Sequence, residues 1–340
     1  MSLHSTPKIL VIRRDNIGDL VCTTPLIGAL RQRFADGWLG ALVNSYNAPV
    51  LDGNPDLDSV FAYTKAKHRE RNSLAGILWQ RLLMMHGLRK MQLDDVIIAT
   101  TSSQPRVIKL AQWLKPKRII GFGDAKGLDV ALPLDNAGSH EVEDVFRVAS
   151  IYGINGPPPP CRVFAPTAVP PGPTFTVGVH ISARKPSQRW PAERFAETIK
   201  AIAAREPVRF MLLWSPGAED NPLHPGDDAK AQEVLTEVGS DAAVTPRPTG
   251  TLHDLVAALA ECNALICADG GAMHLGAGLG LPVVCLFGNS GAARWHPWKV
   301  PYRLLQKPSL EVKDIAVEEA VTAFSALLAD IRAPSASSPP

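Results

Sequence analysis

Short apolar runs alternate with stretches of helical periodicity along the whole chain. In the first half, strands are predicted at Ile9–Ile12, Leu39–Val43, Val60–Tyr63, Val96–Ala99 and Arg118–Gly121. A helix is predicted from Thr24 as N-cap with Pro25 at its first position, a favoured pairing. A second runs from about Ser73 to Lys90, with Leu74, Ile77, Leu78, Arg81, Leu82 and Met85 giving a helical stripe. In the second half, strands fall at Thr176–His180, Val208–Trp214, Ala264–Ala268 and Val283–Phe287. Helices fall at Pro191–Ala204, Thr251–Cys262 and Ala272–Leu279. Near the end, Asp314 is the expected cap of a helix carrying Val317, Ala320, Val321, Phe324, Leu327, Leu328 and Ile331. Strand–helix alternation of this kind predicts parallel sheets with helices on both faces.

The pattern breaks once. Residues 156–173 carry eight prolines, four of them consecutive at Pro157–Pro160, and such a stretch extends neither a helix nor a central strand. The expected organisation is therefore an N-terminal domain over 1–156, a proline-rich linker over 157–173 and a C-terminal domain over 174–310. A terminal helix over 311–332 and a disordered Ser/Pro tail over 333–340 follow. Two doubly wound halves bind ligands at the carboxyl ends of their strands, here expected to face a central cleft.

Composition narrows the function. The 340 residues are 46% hydrophobic and 20% charged, enough for two cores beneath an ordinary polar surface. A net charge of +2 gives no general affinity for nucleic acid. The five cysteines form no CxxC pair, as expected of buried thiols in a reducing compartment. No signal-peptide pattern precedes Lys8, and no apolar run reaches the length of a membrane span, so a cytoplasmic location is expected. Neither GxGxxG after the first strand nor a P-loop is present, and no HExxH or clustered Cys/His set suggests a metal or other cofactor.

Three loops carry candidate chemistry. Arg13-Arg14-Asp15-Asn16-Ile17-Gly18-Asp19 follows the first strand, and either carboxylate could accept a proton from an attacking hydroxyl or simply close a turn. His180-x-Ser182-Ala-Arg184-Lys185-Pro-Ser-Gln-Arg189-Trp190-Pro191 offers cations and hydroxyls suited to a diphosphate, or a solvated basic loop. Asp269-Gly270-Gly271-Ala-Met-His274 ends a buried strand and opens a small-residue helix. There Asp269 could bind sugar hydroxyls or cap the helix, and His274 could equally be a packed histidine.

Taken together, these motifs resemble those of the ADP-heptose:lipopolysaccharide heptosyltransferases, glycosyltransferase family nine. The resemblance rests on Arg13-x-Asp15-x-x-Gly18-Asp19 with Thr23-Thr24-Pro25 and on His180-x-Ser182 with Arg189-Trp190-Pro191-x-x-Arg194-Phe195. It extends through Asp269-Gly270-Gly271-x-x-His274 to Arg294-Trp295-x-Pro297-Trp298. It implies a GT-B architecture and an inverting transfer from ADP-L-glycero-β-D-manno-heptose to the lipid A-core oligosaccharide. Asp19 would be the general base and Arg189 the diphosphate cation. Ser182, Glu219, Asp269, Gly270, Gly271 and His274 would surround the donor. Gly270 departs from the threonine common in the family, and Arg189 stands where lysine is frequent. In this context Lys65, Lys67, Arg69 and Arg71 would meet the anionic core acceptor, with peripheral contact at the inner membrane. The competing expectations are a transferase for another nucleotide sugar, a GT-B-fold sugar-nucleotide epimerase, and a non-catalytic sugar-binding protein.

Overall fold

The structure, a computed structural model, describes residues 6–63, 74–102, 104–134, 138–165, 171–221 and 225–333. Chain contacts divide it into two compact units, Met1–Phe164 and Ala165–Pro340. The first unit includes the first part of the proline-rich stretch: Cys161 and Val163 are buried, and the Arg162 amide donates to the Thr24 hydroxyl at 3.0 Å.

Six parallel strands form the sheet of the first unit: β1 (Lys8–Ile12), β2 (Trp38–Asn44), β3 (Ser59–Tyr63), β4 (Asp95–Ile98), β5 (Arg118–Phe122) and β6 (Val130–Leu132). Their order is β3-β2-β1-β4-β5-β6. Ile9 pairs with Leu39 on one side and Asp95 on the other, so β1 is central and its run from Ile9 to Ile12 is wholly buried. Continuous apolar runs are what strands covered on both faces require.

One face is covered by α2 (Thr24–Arg33), which buries Leu26, Ile27, Ala29 and Leu30. On a face of the same sheet lie α3 (Leu74–Lys90) and α4 (Pro105–Leu114). Their Met85, Leu88, Val107, Ile108, Ala111 and Leu114 share a core with Leu10, Ile12, Val96 and Ile98. The short helices α1 (Ile17–Val21) and α5 (Glu141–Phe146) complete the unit.

The second unit repeats the plan with β7 (Thr176–His180), β8 (Arg209–Trp214), β9 (Val244–Pro248), β10 (Ala264–Ala268), β11 (Val283–Phe287) and β12 (Tyr302–Gln306), ordered β12-β11-β10-β7-β8-β9. Leu265 pairs with Gly178 and with Val283. Helices α6 (Ala192–Ala203), α7 (Asp228–Val238), α8 (Leu252–Ala260), α9 (Gly271–Gly278), α10 (Ala292–Trp295) and α11 (Val317–Arg332) follow in turn. Phe195, Ile199, Phe324, Leu327 and Leu328 from α6 and α11 build a core with Val177, Val179, Phe210 and Ile266. All five cysteines are buried thiols.

Several details differ from the sequence expectation. Thr24 is not the N-cap of α2. Thr23 takes that place with helical dihedrals (φ −90°, ψ −17°), because α1 runs almost directly into α2, and the Thr24 hydroxyl donates to the Val21 carbonyl at 2.7 Å. Asp314 does not cap α11 but is exposed at the end of a 3-10 turn, Val312–Asp314, that is anchored by buried Val312. The helix starts after Ala316, whose amide donates to the Glu319 carboxylate at 2.9 Å. Leu82 of α3 faces outward, 56% exposed, while Met85 and Leu88 point in. α3 is apolar on nearly every side, so periodicity alone does not select its inner face. The tail 334–340 lies outside the described residues.

Trp190 ties the loop after β7 to the segment entering α11. Its ring is 1% exposed and packs edge-on against Phe195 at 5.0 Å, and its indole N–H donates to the Ile315 carbonyl at 3.0 Å. Trp190→Ala should therefore cost the second unit ~3–5 kcal/mol in a denaturant titration. Trp190→Phe, which keeps most of the packing, should cost less than the alanine.

Candidate active site

In each unit the strand order reverses once, between β1 and β4 in the first and between β7 and β10 in the second. Loops leaving such a pair of neighbouring strands diverge to opposite sides and open a crevice at their carboxyl ends. The candidate residues collect at these two points.

In the first unit the organising group is Arg13, directly after β1 and 1% exposed. Its guanidinium meets Asp19 Oδ1 at 2.7 Å, Glu141 Oε1 at 2.7 Å and Asp15 Oδ2 at 3.1 Å, and it donates to the Ala99 carbonyl beyond β4. Burial alone would lower the Arg13 pKa, but Asp19, Glu141 and Asp15 outweigh it and hold the group above its ordinary value. The cluster carries a surplus of negative charge, offset by N–H groups. Asp19 lies in the first turn of α1 and Glu141 in the first turn of α5, where the helix dipole favours anions.

Asp19 is held at both oxygens. While Oδ1 faces Arg13, Oδ2 accepts from the Asn16 amide and side chain, each at 3.0 Å. Asp15 accepts from the Thr100 hydroxyl at 2.9 Å, and Glu141 from that of Thr101 at 3.1 Å. Thus the loops after β1 and β4 and the start of α5 meet on one guanidinium. The convergence is around a cation of the protein itself, and among the described residues no group of His, Cys, Asp or Glu is arranged to hold a metal ion. Glu141 has no counterpart in the sequence expectation. Its only local signal is a carboxylate among the acids that open a short helix.

In the second unit the hub is Gln188, which is buried. Its amide donates to Asp269 Oδ2 at 2.7 Å and to the Ser290 hydroxyl at 2.8 Å, joining the loops after β7, β10 and β11. The backbones come so close that a Cβ on Gly288 would lie 2.3 Å from the Ser187 carbonyl oxygen, so only glycine fits there. Gly270 has φ +155°, in open space, a conformation other residues rarely adopt, and Gly271 begins α9. His274 is buried within α9, its ring edge-on to Trp295 at 5.9 Å.

Arg189 and Glu219, expected on different parts of the donor, bond to each other at 2.7 Å, and Arg189 also donates to the Ala183 carbonyl. The Ser182 hydroxyl accepts from the Ser215 amide at 2.9 Å, linking the loops after β7 and β8. Arg184 and Lys185 are exposed.

A further cation, absent from the sequence expectation, is Lys230 of α7. Its ammonium donates to the Ile181 carbonyl at 3.0 Å and sits 5.0 Å over the Phe195 ring. Burial lowers its pKa to about 8; Asp227 raises it and Arg189 lowers it. Nothing in its local pattern sets it apart from an ordinary helix lysine. The proposed acceptor cations Lys65, Lys67, Arg69 and Arg71 lie outside the described residues.

The two doubly wound units have the GT-B fold, and the family match makes the chain a glycosyltransferase. The chain matches Glycosyltransferase family 9 (heptosyltransferase) over residues 84–319 and belongs to that family. It is 21% identical to lipopolysaccharide heptosyltransferase 3 of Escherichia coli over 300 residues, covering 83% of each protein. With lipopolysaccharide heptosyltransferase 2 of Salmonella typhimurium it shares 23% over 308 residues, again covering 83% of each. Its fold is similar to that of E. coli heptosyltransferase WaaC with ADP, with a TM-score of 0.78 at 17% identity, covering 94% of this chain and 99% of that one.

His180, at the end of β7, has its pKa lowered from 6.5 to about 4 by burial and by the Lys230 charge. A depressed folded-state value stabilises the fold above the unfolded pKa, and that contribution is lost as pH falls from 6.5 towards 4. The unfolding free energy should decline over this window, and His180→Asn should remove that part of the slope.

Proposed function

We propose that the chain transfers heptose, with inversion, from ADP-L-glycero-β-D-manno-heptose to the inner core of lipopolysaccharide on the cytoplasmic side of the membrane. Asp19 is the general base. The acceptor oxygen forms the new bond to the anomeric carbon as the bond from that carbon to the diphosphate oxygen breaks. The electron pair leaves with ADP, and the acceptor proton passes to Asp19. Because Asp15 and Glu141 also neutralise Arg13, protonation of Asp19 does not strand a buried charge, which would be costly. The observation that carries this reading is the Asp19 carboxylate, held at both oxygens at the switch point of a family 9 member.

In the same proposal Arg189, Lys230 and the first amides of α9 hold the diphosphate and stabilise the charge that develops on it. Asp269, aimed by Gln188, takes donor-sugar hydroxyls beside Gly270, Gly271 and His274. Glu219 takes the ribose, releasing Arg189 towards phosphate, and Ser182 turns its hydroxyl to the donor. Lys65, Lys67, Arg69 and Arg71 meet the anionic core.

Asp19→Asn should lower turnover ~100-fold or more while leaving ADP affinity unchanged, with transfer measured on a heptose-deficient core acceptor. Equal turnover would remove Asp19 from the mechanism, and conversion of the donor without acceptor would favour an epimerase. Arg189→Ala should weaken ADP binding by roughly 10- to 100-fold, the worth of a charge-assisted hydrogen bond. Lys230 must be charged to hold phosphate. ADP affinity in the wild type should therefore fall as pH rises through about 8, where the folded-state ammonium loses its proton. Lys230→Met should bind more weakly and show no such fall by calorimetry.

A further inference from the structure

Among the described residues of the first unit, α3 presents a set of exposed apolar side chains. On α3, Trp79, Leu82 and Leu83 are 63%, 56% and 55% exposed. Their spacing of three and four residues stacks them into one stripe on the side away from buried Met85 and Leu88. α4 lies beside α3, and its Trp113 is 41% exposed with the Arg89 guanidinium 5.0 Å over its ring, which joins the two helices at their outer surface. A contiguous apolar stripe of this kind on a soluble surface marks a place of contact.

The charges around the stripe identify the partner. Neither residues 74–93 nor residues 104–118 contain a single aspartate or glutamate, although acidic and basic residues are almost balanced over the chain, 33 against 35. Arg81, Lys90, Arg106 and Lys109 are exposed on these helices. Two copies of this face would meet with like charges opposed, which argues against self-association. Leucine and tryptophan among lysine and arginine, with no acid within either segment, suit the boundary of a bilayer that carries negative headgroups. Among the described residues no helix is long and apolar enough to cross a membrane, so contact through this face is superficial.

We propose that the outer face of α3 and α4 docks on a bilayer surface bearing anionic phospholipid, with Trp79, Leu82 and Leu83 entering the headgroup boundary. This is independent of the donor chemistry, and it would bring the enzyme to the surface where a lipid-linked acceptor is found.

The test is flotation of the full chain with vesicles of phosphatidylcholine alone and of phosphatidylcholine mixed with phosphatidylglycerol. The chain should float only with the mixed vesicles and should be released as salt is raised. The triple variant Trp79→Ser, Leu82→Ser, Leu83→Ser should lose at least ~10-fold in partitioning, with its melting temperature and its turnover on a lipid-free acceptor unchanged. Arg106→Glu with Lys109→Glu should remove the preference for anionic vesicles. Three results would overturn the proposal: no flotation, equal flotation with neutral vesicles, or a vesicle-free dimer that the triple variant dissociates. None of them touches the transferase reading, which the lipid-free turnover measures separately.

Discussion

A parallel sheet can grow only by crossovers, and when growth changes direction the two central strands send their loops to opposite sides. That constraint fixes where chemistry can occur in both units. Between β1 and β4, and again between β7 and β10, the loops leaving the carboxyl ends of buried strands diverge and open a gap. Rigid apolar strands such as Ile9–Ile12 and Ala264–Ala268 deliver Arg13 and Asp269 to the rims of those gaps. The buried polar side chains there, Arg13, Glu141 and Gln188, are satisfied by one another and by the loops they join.

The two gaps are organised by different physics. In the first unit a buried guanidinium gathers three carboxylates, so position is set by charge, and each acid is further held by an amide or hydroxyl. In the second unit a neutral amide, Gln188, gathers the loops, which leaves Arg189 and Lys230 as cations at the same loop cluster. A negatively charged ligand suits the second arrangement, and a hydroxyl that must lose a proton suits the first.

The face of α3 and α4 illustrates a separate economy of the fold. α3 is bound to the sheet by Met85 and Leu88 near its carboxyl-terminal end, with Arg81 over the Tyr63 ring. Met84 packs against the same core, whereas Trp79, Leu82 and Leu83 are exposed. Exposed leucine and tryptophan oppose solubility, so their presence beside exposed cations is better understood as contact than as packing.

Strand and helix alternation, the parallel sheets and the three chemical loops were legible in the sequence because each depends on local pattern. Buried strands such as Thr176–His180, Ala264–Ala268 and Val283–Phe287 fall at the predicted boundaries, since continuous apolar runs leave no other choice. The strands β6, β9 and β12 were not predicted. They lie at or next to solvent on sheet edges, where Pro246 and Pro248 are tolerated and the apolar signal is weak. Glu141, Gln188 and Lys230 were silent for another reason. Each acquires its role from residues far away in the chain, 128 positions in the case of Glu141 and Arg13 and 81 in that of Gln188 and Asp269. Sequence by itself determined which segments are buried and which loops carry polar groups, because burial and turn chemistry act between neighbours. Only the tertiary structure decided which charges share a partner, because that depends on distance in space, which strand order and helix packing set together.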